Sequence, residues 1–115
     1  MMCVGSDFAI VASDMISSED KPRVLSTLEE TGKNLVFIDE TQVNAFAGNC
    51  LELVNYRNER FLVISTTAYA SLCEHQRAAL PADLTLLPIS VPTIEMAGGS
   101  VRCMMAGIHL PITKR

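Results

Sequence analysis

Short apolar runs from Met1 to Val4 and from Phe8 to Ala12 are divided by Gly5-Ser6-Asp7, a pattern that predicts a β-hairpin. Ser17-Ser18-Glu19-Asp20-Lys21-Pro22 then marks a helix start, with Ser18 or Asp20 as the cap and Pro22 tolerated in the first turn. Val24, Leu25 and Leu28 form its apolar stripe and Gly32 stops it. Leu35 to Ile38 is apolar at every position, which predicts a strand covered on both faces. Asp39 with Gln42 has the spacing of a capping box for a short helix that turns Val43, Phe46 and Ala47 inward and ends at Gly48.

The second half repeats the order of the first. Cys50 to Asn55 and Arg60 to Ser65 read as a hairpin around Arg57-Asn58-Glu59, and Thr67 to Leu80 as helix with a break near Cys73 and a stop at Pro81. Leu84 to Val91 reads as a strand that Pro88 confines to an edge or a bulge. Phe8-Ala9-Ile10-Val11 is echoed by Phe61-Leu62-Val63-Ile64. The chain therefore reads as one α/β (α+β) domain, 1–115, made of two repeats at about 1–48 and 49–115.

The final stretch carries the chemistry. Gly98-Gly99 lets the backbone take positive φ or approach a ligand closely, and Cys103 follows within a few residues. From Cys103 to Ile112 there is no Asp, Glu, Lys or Arg, which predicts a buried strand with Cys103, Met105, Gly107 and His109 on one face and Met104, Ala106, Ile108 and Leu110 on the other. Two readings stay open on these residues: a buried strand cysteine, or a nucleophile presented by a glycine turn.

Composition narrows the field. A hydrophobic fraction of 49% in 115 residues predicts apolar surface that meets a partner. A formal charge of −4 without a basic run argues against nucleic acid and against an anionic membrane surface. No apolar stretch reaches the ~18 residues of a bilayer span, and Asp7 within the first apolar segment argues against a secretory signal. Cys3, Cys50, Cys73 and Cys103 lack disulfide-framework or metal-ligand spacing, so a reduced, cytoplasmic setting without a metal is the simplest expectation.

The run Phe46-Ala47-Gly48-Asn49-Cys50-Leu51-Glu52-Leu53, then Ser65 with Ala68-Tyr69-Ala70-Ser71-Leu72, then Ile94-Glu95 and Gly98-Gly99-Ser100-Val101-Arg102-Cys103-Met104, resembles the C-terminal part of the pentein superfamily. That superfamily holds arginine deiminases, dimethylarginine hydrolases and amidinotransferases. The resemblance covers nearly the whole chain and is greatest to a bacterial branch similar to citrulline hydrolases, with Ala97, Gly107 and His109 standing where that branch has glycine, glutamate and phenylalanine.

It implies five ββαβ units around a central channel, of which this chain supplies the last two. It implies Cys103 as the nucleophile, with Asn49, Glu52, Gly98, Gly99 and Arg102 as substrate-side positions and no cofactor. In the family a thiolate attacks a guanidinium or ureido carbon, and a histidine protonates the leaving amine and then activates water. The family's His-Thr-Asn segment would fall just before Met1. His109 would sit ~20 Å along the strand from Cys103 at ~3.3 Å per residue, and His75 stands in a polar helical stretch. Alternation would point Arg102 away from Cys103. Glu52 reads as a solvated strand residue, and Glu95 as either a solvated loop residue or a motif position.

The expectation is thus a truncated pentein-like protein with little or no guanidine or ureido hydrolysis alone. One alternative is a hydrolase completed by another chain. A second is a module that binds a small guanidino or ureido ligand and associates symmetrically through its exposed sheet edges. A gene product without a selected role is also compatible.

Overall fold

The structure is a computed structural model and describes residues 1–111. Its strands are β1 (Met2–Val4), β2 (Phe8–Val11), β3 (Asn34–Phe37), β4 (Leu51–Val54), β5 (Arg60–Ser65) and β6 (Leu84–Ile89). Its helices are α1 (Lys21–Glu30), α2 (Glu40–Asn44), α3 (Thr66–Ser71), α4 (Glu74–Ala78) and α5 (Pro92–Met96), with short 3₁₀ turns at Ser13–Met15 and Val101–Met104.

The strands form two three-stranded sheets of the same design, β1-β2-β3 and β4-β5-β6. In each, a hairpin places the first strand antiparallel to the second, and a helical crossover returns the third strand parallel to it. This is the mixed α+β, twice ββαβ architecture that the element order predicts.

The central strands fill the interior because they are covered on both sides. All four residues of β2 are buried, as are Leu62, Val63, Ile64 and Ser65 of β5. One apolar cluster joins Cys3, Phe8, Ile10, Val36 and Ala47 of the first half to Cys50, Leu62, Ile64 and Leu72 of the second half. Gly5 is required at the first hairpin, since a Cβ there would collide with the Phe8 ring.

Several ends differ from expectation. Neither Ser18 nor Asp20 caps α1 through its side chain; Ser17 closes the turn instead, its carbonyl accepting from the Lys21 amide at 2.9 Å. Gly48 is not the left-handed terminator of α2. Phe46 takes that conformation, with φ 67°, while Gly48 packs so closely that a Cβ would lie 3.0 Å from the Met1 nitrogen. The break near Cys73 is present, with Leu72 extended between α3 and α4. Pro88 sits on β6, an edge strand, as its missing N–H requires.

The largest departure is at the C-terminal end. The segment expected as a buried strand begins as a 3₁₀ turn through Met104, and Met105 to Pro111 has no regular structure. Ile108 and Leu110 are 82% and 79% exposed. A charge-free run signals burial only where a neighbouring strand exists to pair with it, and no such strand flanks this run among the described residues. Ile112 lies outside the described residues.

Candidate functional site

The site grows from the loop between α5 and the last 3₁₀ turn. Gly98, at φ 95°, turns the chain back after α5, a conformation that side-chain-bearing residues rarely adopt. Gly99 then passes close to Cys103: a Cβ on it would lie 3.5 Å from the Cys103 Cβ and 3.6 Å from its sulfur. Ser100 and Val101 are buried and root the loop, and the Cys103 amide donates to the Ser100 carbonyl at 3.1 Å. The cysteine side chain is left exposed. It is not a buried strand residue.

Asn49 holds the sulfur. Its Nδ2 donates to Cys103 Sγ at 3.2 Å, while its Oδ1 accepts from the Arg102 amide at 3.1 Å. One side-chain amide therefore fixes both the thiol and the backbone beside it. The Asn49 hydrogen bond, with a further backbone hydrogen bond at Ser100 and the Arg102 charge, holds the Cys103 thiol below its ordinary value.

Arg102 does not turn away from the site as strand alternation would require. In a 3₁₀ turn its guanidinium folds back, and Nη1 donates to the Cys50 carbonyl at 3.3 Å. That same carbonyl accepts from the Cys3 thiol at 3.2 Å. Cys50 donates to Ala47 at 3.3 Å and is fully buried; the Cys3 thiol beside it and its burial push it up, away from thiolate character. Cys103 is the accessible thiol of this region.

Glu52 is not a solvated strand position. Its side chain is 9% exposed, with one carboxylate oxygen accepting from the Ser6 amide and hydroxyl at 2.7 Å each and the other from Arg60 Nε at 2.8 Å. Arg60 also pairs with Asp7 at 2.6 Å and Asp83 at 3.0 Å. The Glu52 carboxylate is thus engaged within the chain, apart from the Asn49–Cys103 contact.

Glu95 emerges as a residue that matters here. It lies on α5 and accepts from Ser65 and Thr67 hydroxyls at 2.9 Å each, and from Ser100 at 3.5 Å. It ties the end of β5 to the loop that carries Cys103. The signal was in the sequence: a lone carboxylate a few residues before a Gly-Gly turn needs partners, and Ser65, which caps α3 through the Ala68 amide, offers its hydroxyl.

The histidines lie elsewhere. His75 is exposed on α4, and His109 lines a cleft of about 220 Å³ with Ser6, Glu52, Leu53 and Val54. Among the described residues the side-chain hydrogen bond to the Cys103 sulfur comes from an amide, not from an imidazole. Those residues contain no cluster of three or more His, Cys, Asp or Glu suited to a metal, and no helix long and apolar enough to cross a membrane.

The fold is a pair of mixed ββαβ units with an exposed thiol after a glycine turn. The family described as N,N dimethylarginine dimethylhydrolase, eukaryotic, matches residues 1–110, and the chain belongs to it and with it to the pentein superfamily. No curated protein and no solved structure matches the chain.

Proposed function

We propose that Cys103 is the nucleophile position of a guanidine- or ureido-modifying site and that the chain carries this position without an acid–base partner of its own. The carrying observation is the Asn49–Cys103 contact at 3.2 Å, which prepares an exposed thiol for attack while leaving no imidazole in that place. In the reaction, the thiolate sulfur forms a bond to the amidine carbon and the bond from that carbon to the departing amine breaks. The amine leaves with a proton that a neighbouring acid must give. Water then adds to the carbon, loses a proton to the same base and returns the thiol. The family match points to methylated arginines as the substrate class, and the sequence resemblance adds citrulline and arginine.

On this reading Asn49 and Arg102 shape the thiol's surroundings, Gly98 and Gly99 allow the approach, and Glu52 serves mainly to join the two halves. The chain is a pair of pentein-type ββαβ units, one domain with repeats at about 1–48 and 49–115, working in a reducing cytoplasm that keeps its four cysteines free. Exposed apolar residues on the sheet edges, Phe37, Val54, Leu87 and Ile89 among them, support a homo-oligomer.

The test is product release from N,N-dimethylarginine, citrulline and arginine, read beside intact mass of the protein. The expected result is no sustained turnover, with Cys103 alkylated readily by iodoacetamide. Turnover by the isolated monomer, or turnover that survives Cys103→Ala, would overturn the reading. A second reading, a hydrolase completed by another chain, would show as activity appearing only in an oligomer.

A further inference from the structure

Two thiols that the chemistry at Cys103 does not use sit where the halves of the chain meet. Cys3 lies on β1 and Cys50 just before β4; both are free and buried in the shared core. The Cys3 thiol donates to the Cys50 carbonyl at 3.2 Å, and the Cys50 thiol donates to the Ala47 carbonyl at 3.3 Å.

The backbone brings these residues together from both sides. A Cβ built on Gly48 would lie 3.0 Å from the Met1 nitrogen and 3.2 Å from the Met2 nitrogen. Adding one bond of about 1.5 Å at each end puts the Gly48 and Met1 Cα atoms within about 6 Å of each other. Two residues further along each segment come Cys50 and Cys3, whose separation of 47 positions is the same as that of Gly48 and Met1. A disulfide spans Cα atoms up to about 7 Å apart, so two segments in this contact need little movement to be bridged.

Arg102 completes the arrangement. It is exposed, yet its Nη1 reaches in to the same Cys50 carbonyl at 3.3 Å, so on this side the thiols lie one side chain below the surface. A hydrogen bond from Cys50 to the ionised sulfur, joined by the Arg102 charge, outweighs burial and holds the Cys3 thiol below its ordinary value, while Cys50 is pushed up. Of the two, Cys3 is the sulfur that becomes thiolate, the form that reacts.

We propose that Cys3 and Cys50 are a redox pair, which hydrogen peroxide closes into a reversible disulfide joining the first ββαβ unit to the second. The Cys3 sulfur attacks a peroxide oxygen; the S–O bond forms, the O–O bond breaks and water leaves, giving a sulfenic acid. The Cys50 sulfur then attacks the Cys3 sulfur; the S–S bond forms, the S–O bond breaks, and hydroxide departs with the Cys50 proton as a second water. Two thiols are oxidised and one peroxide is reduced. Exposed Cys73 and Cys103 meet the oxidant first, and the buried pair follows through local opening. Once closed, the loop of 47 positions restricts the unfolded chain and stabilises the folded one.

The test is peroxide treatment of the folded full chain, as wild type and as Cys73→Ser/Cys103→Ser, in which Cys3 and Cys50 are the remaining thiols. Disulfides are mapped by mass spectrometry after alkylation in denaturant, and circular dichroism checks that each protein is folded. The expected result for both proteins is a monomer lighter by two hydrogen atoms, a peptide pair linking Cys3 to Cys50, reversal by dithiothreitol, and a urea midpoint that is higher oxidised than reduced. Cys3→Ala and Cys50→Ala, made separately, should each abolish the link. Cys3 and Cys50 both still alkylated in denaturant after Cys103 has been fully oxidised would overturn the proposal. So would a wild-type link from Cys103 to either buried cysteine in place of the Cys3–Cys50 link. A Cys3–Cys50 link that fails to raise the urea midpoint would overturn its role in stabilising the joined halves.

Discussion

Asn49 makes the thiol at position 103 more than an exposed cysteine. Its amide donates to the sulfur and accepts from the Arg102 backbone, so replacing it removes a stabilising hydrogen bond and loosens the turn together. Asn49→Ala is expected to raise the Cys103 thiol toward its ordinary value, read as an upward move in the midpoint of alkylation rate against pH. An unmoved midpoint would remove Asn49 from the account. Glu95 acts one step further out. Ser65 and Ser100 are fully buried, and Glu95→Ala would leave their hydroxyls short of an acceptor at a cost of about 1–3 kcal/mol, measurable by urea unfolding. Glu95→Gln, which keeps one acceptor oxygen, should recover part of that loss and of the Cys103 alkylation rate.

At the scale of elements, the loop that carries Cys103 depends on the left-handed turn at Gly98. With φ at 95°, Gly98→Ala strains the backbone although nothing crowds the added Cβ, and a loss exceeding about 1 kcal/mol is expected in thermal or urea unfolding. An unchanged unfolding midpoint would mean that the turn relaxes freely. The same element shows what the sequence could reveal. Local patterns with their own partners were legible: the Asp39–Gln42 capping box forms as its spacing predicts, and both hairpins and the edge position of Pro88 follow from turn residues and proline chemistry. Cys103 was legible through the glycine turn and the surrounding motif. Its strand was not, because alternation describes a chain that has somewhere to pair, and Met105 to Pro111 has no strand partner among the described residues. Glu52 misled for a related reason: the partners that bury its carboxylate, Ser6 and Arg60, come from the other hairpin and the neighbouring strand.

For the whole molecule, Arg60 is the electrostatic joint between the two sheets, and it makes stability depend on acid. The hydrogen bond from Arg60 lowers the Asp7 carboxyl; burial raises that of Glu52, but donation from Ser6 and Arg60 together outweighs it and holds it low. Carboxyls depressed in the folded state stabilise it above their unfolded values of about 4 and lose that contribution as pH falls through the folded ones. The urea midpoint should therefore fall steeply below about pH 4, and Arg60→Met should weaken that acid dependence. The variant should also be less stable at neutral pH by about 3 kcal/mol, because Glu52 stays shielded without its counter-charge. Chemistry at this scale turns on whether the folded chain pairs its sulfur with an imidazole. The most direct measurement is the pH dependence of Cys103 alkylation in a Cys73→Ser background, with and without His75→Ala and His109→Ala. One inflection below the ordinary thiol value, unchanged by either histidine substitution, is the predicted result; a second inflection in the imidazole range that His75→Ala or His109→Ala abolishes would contradict it.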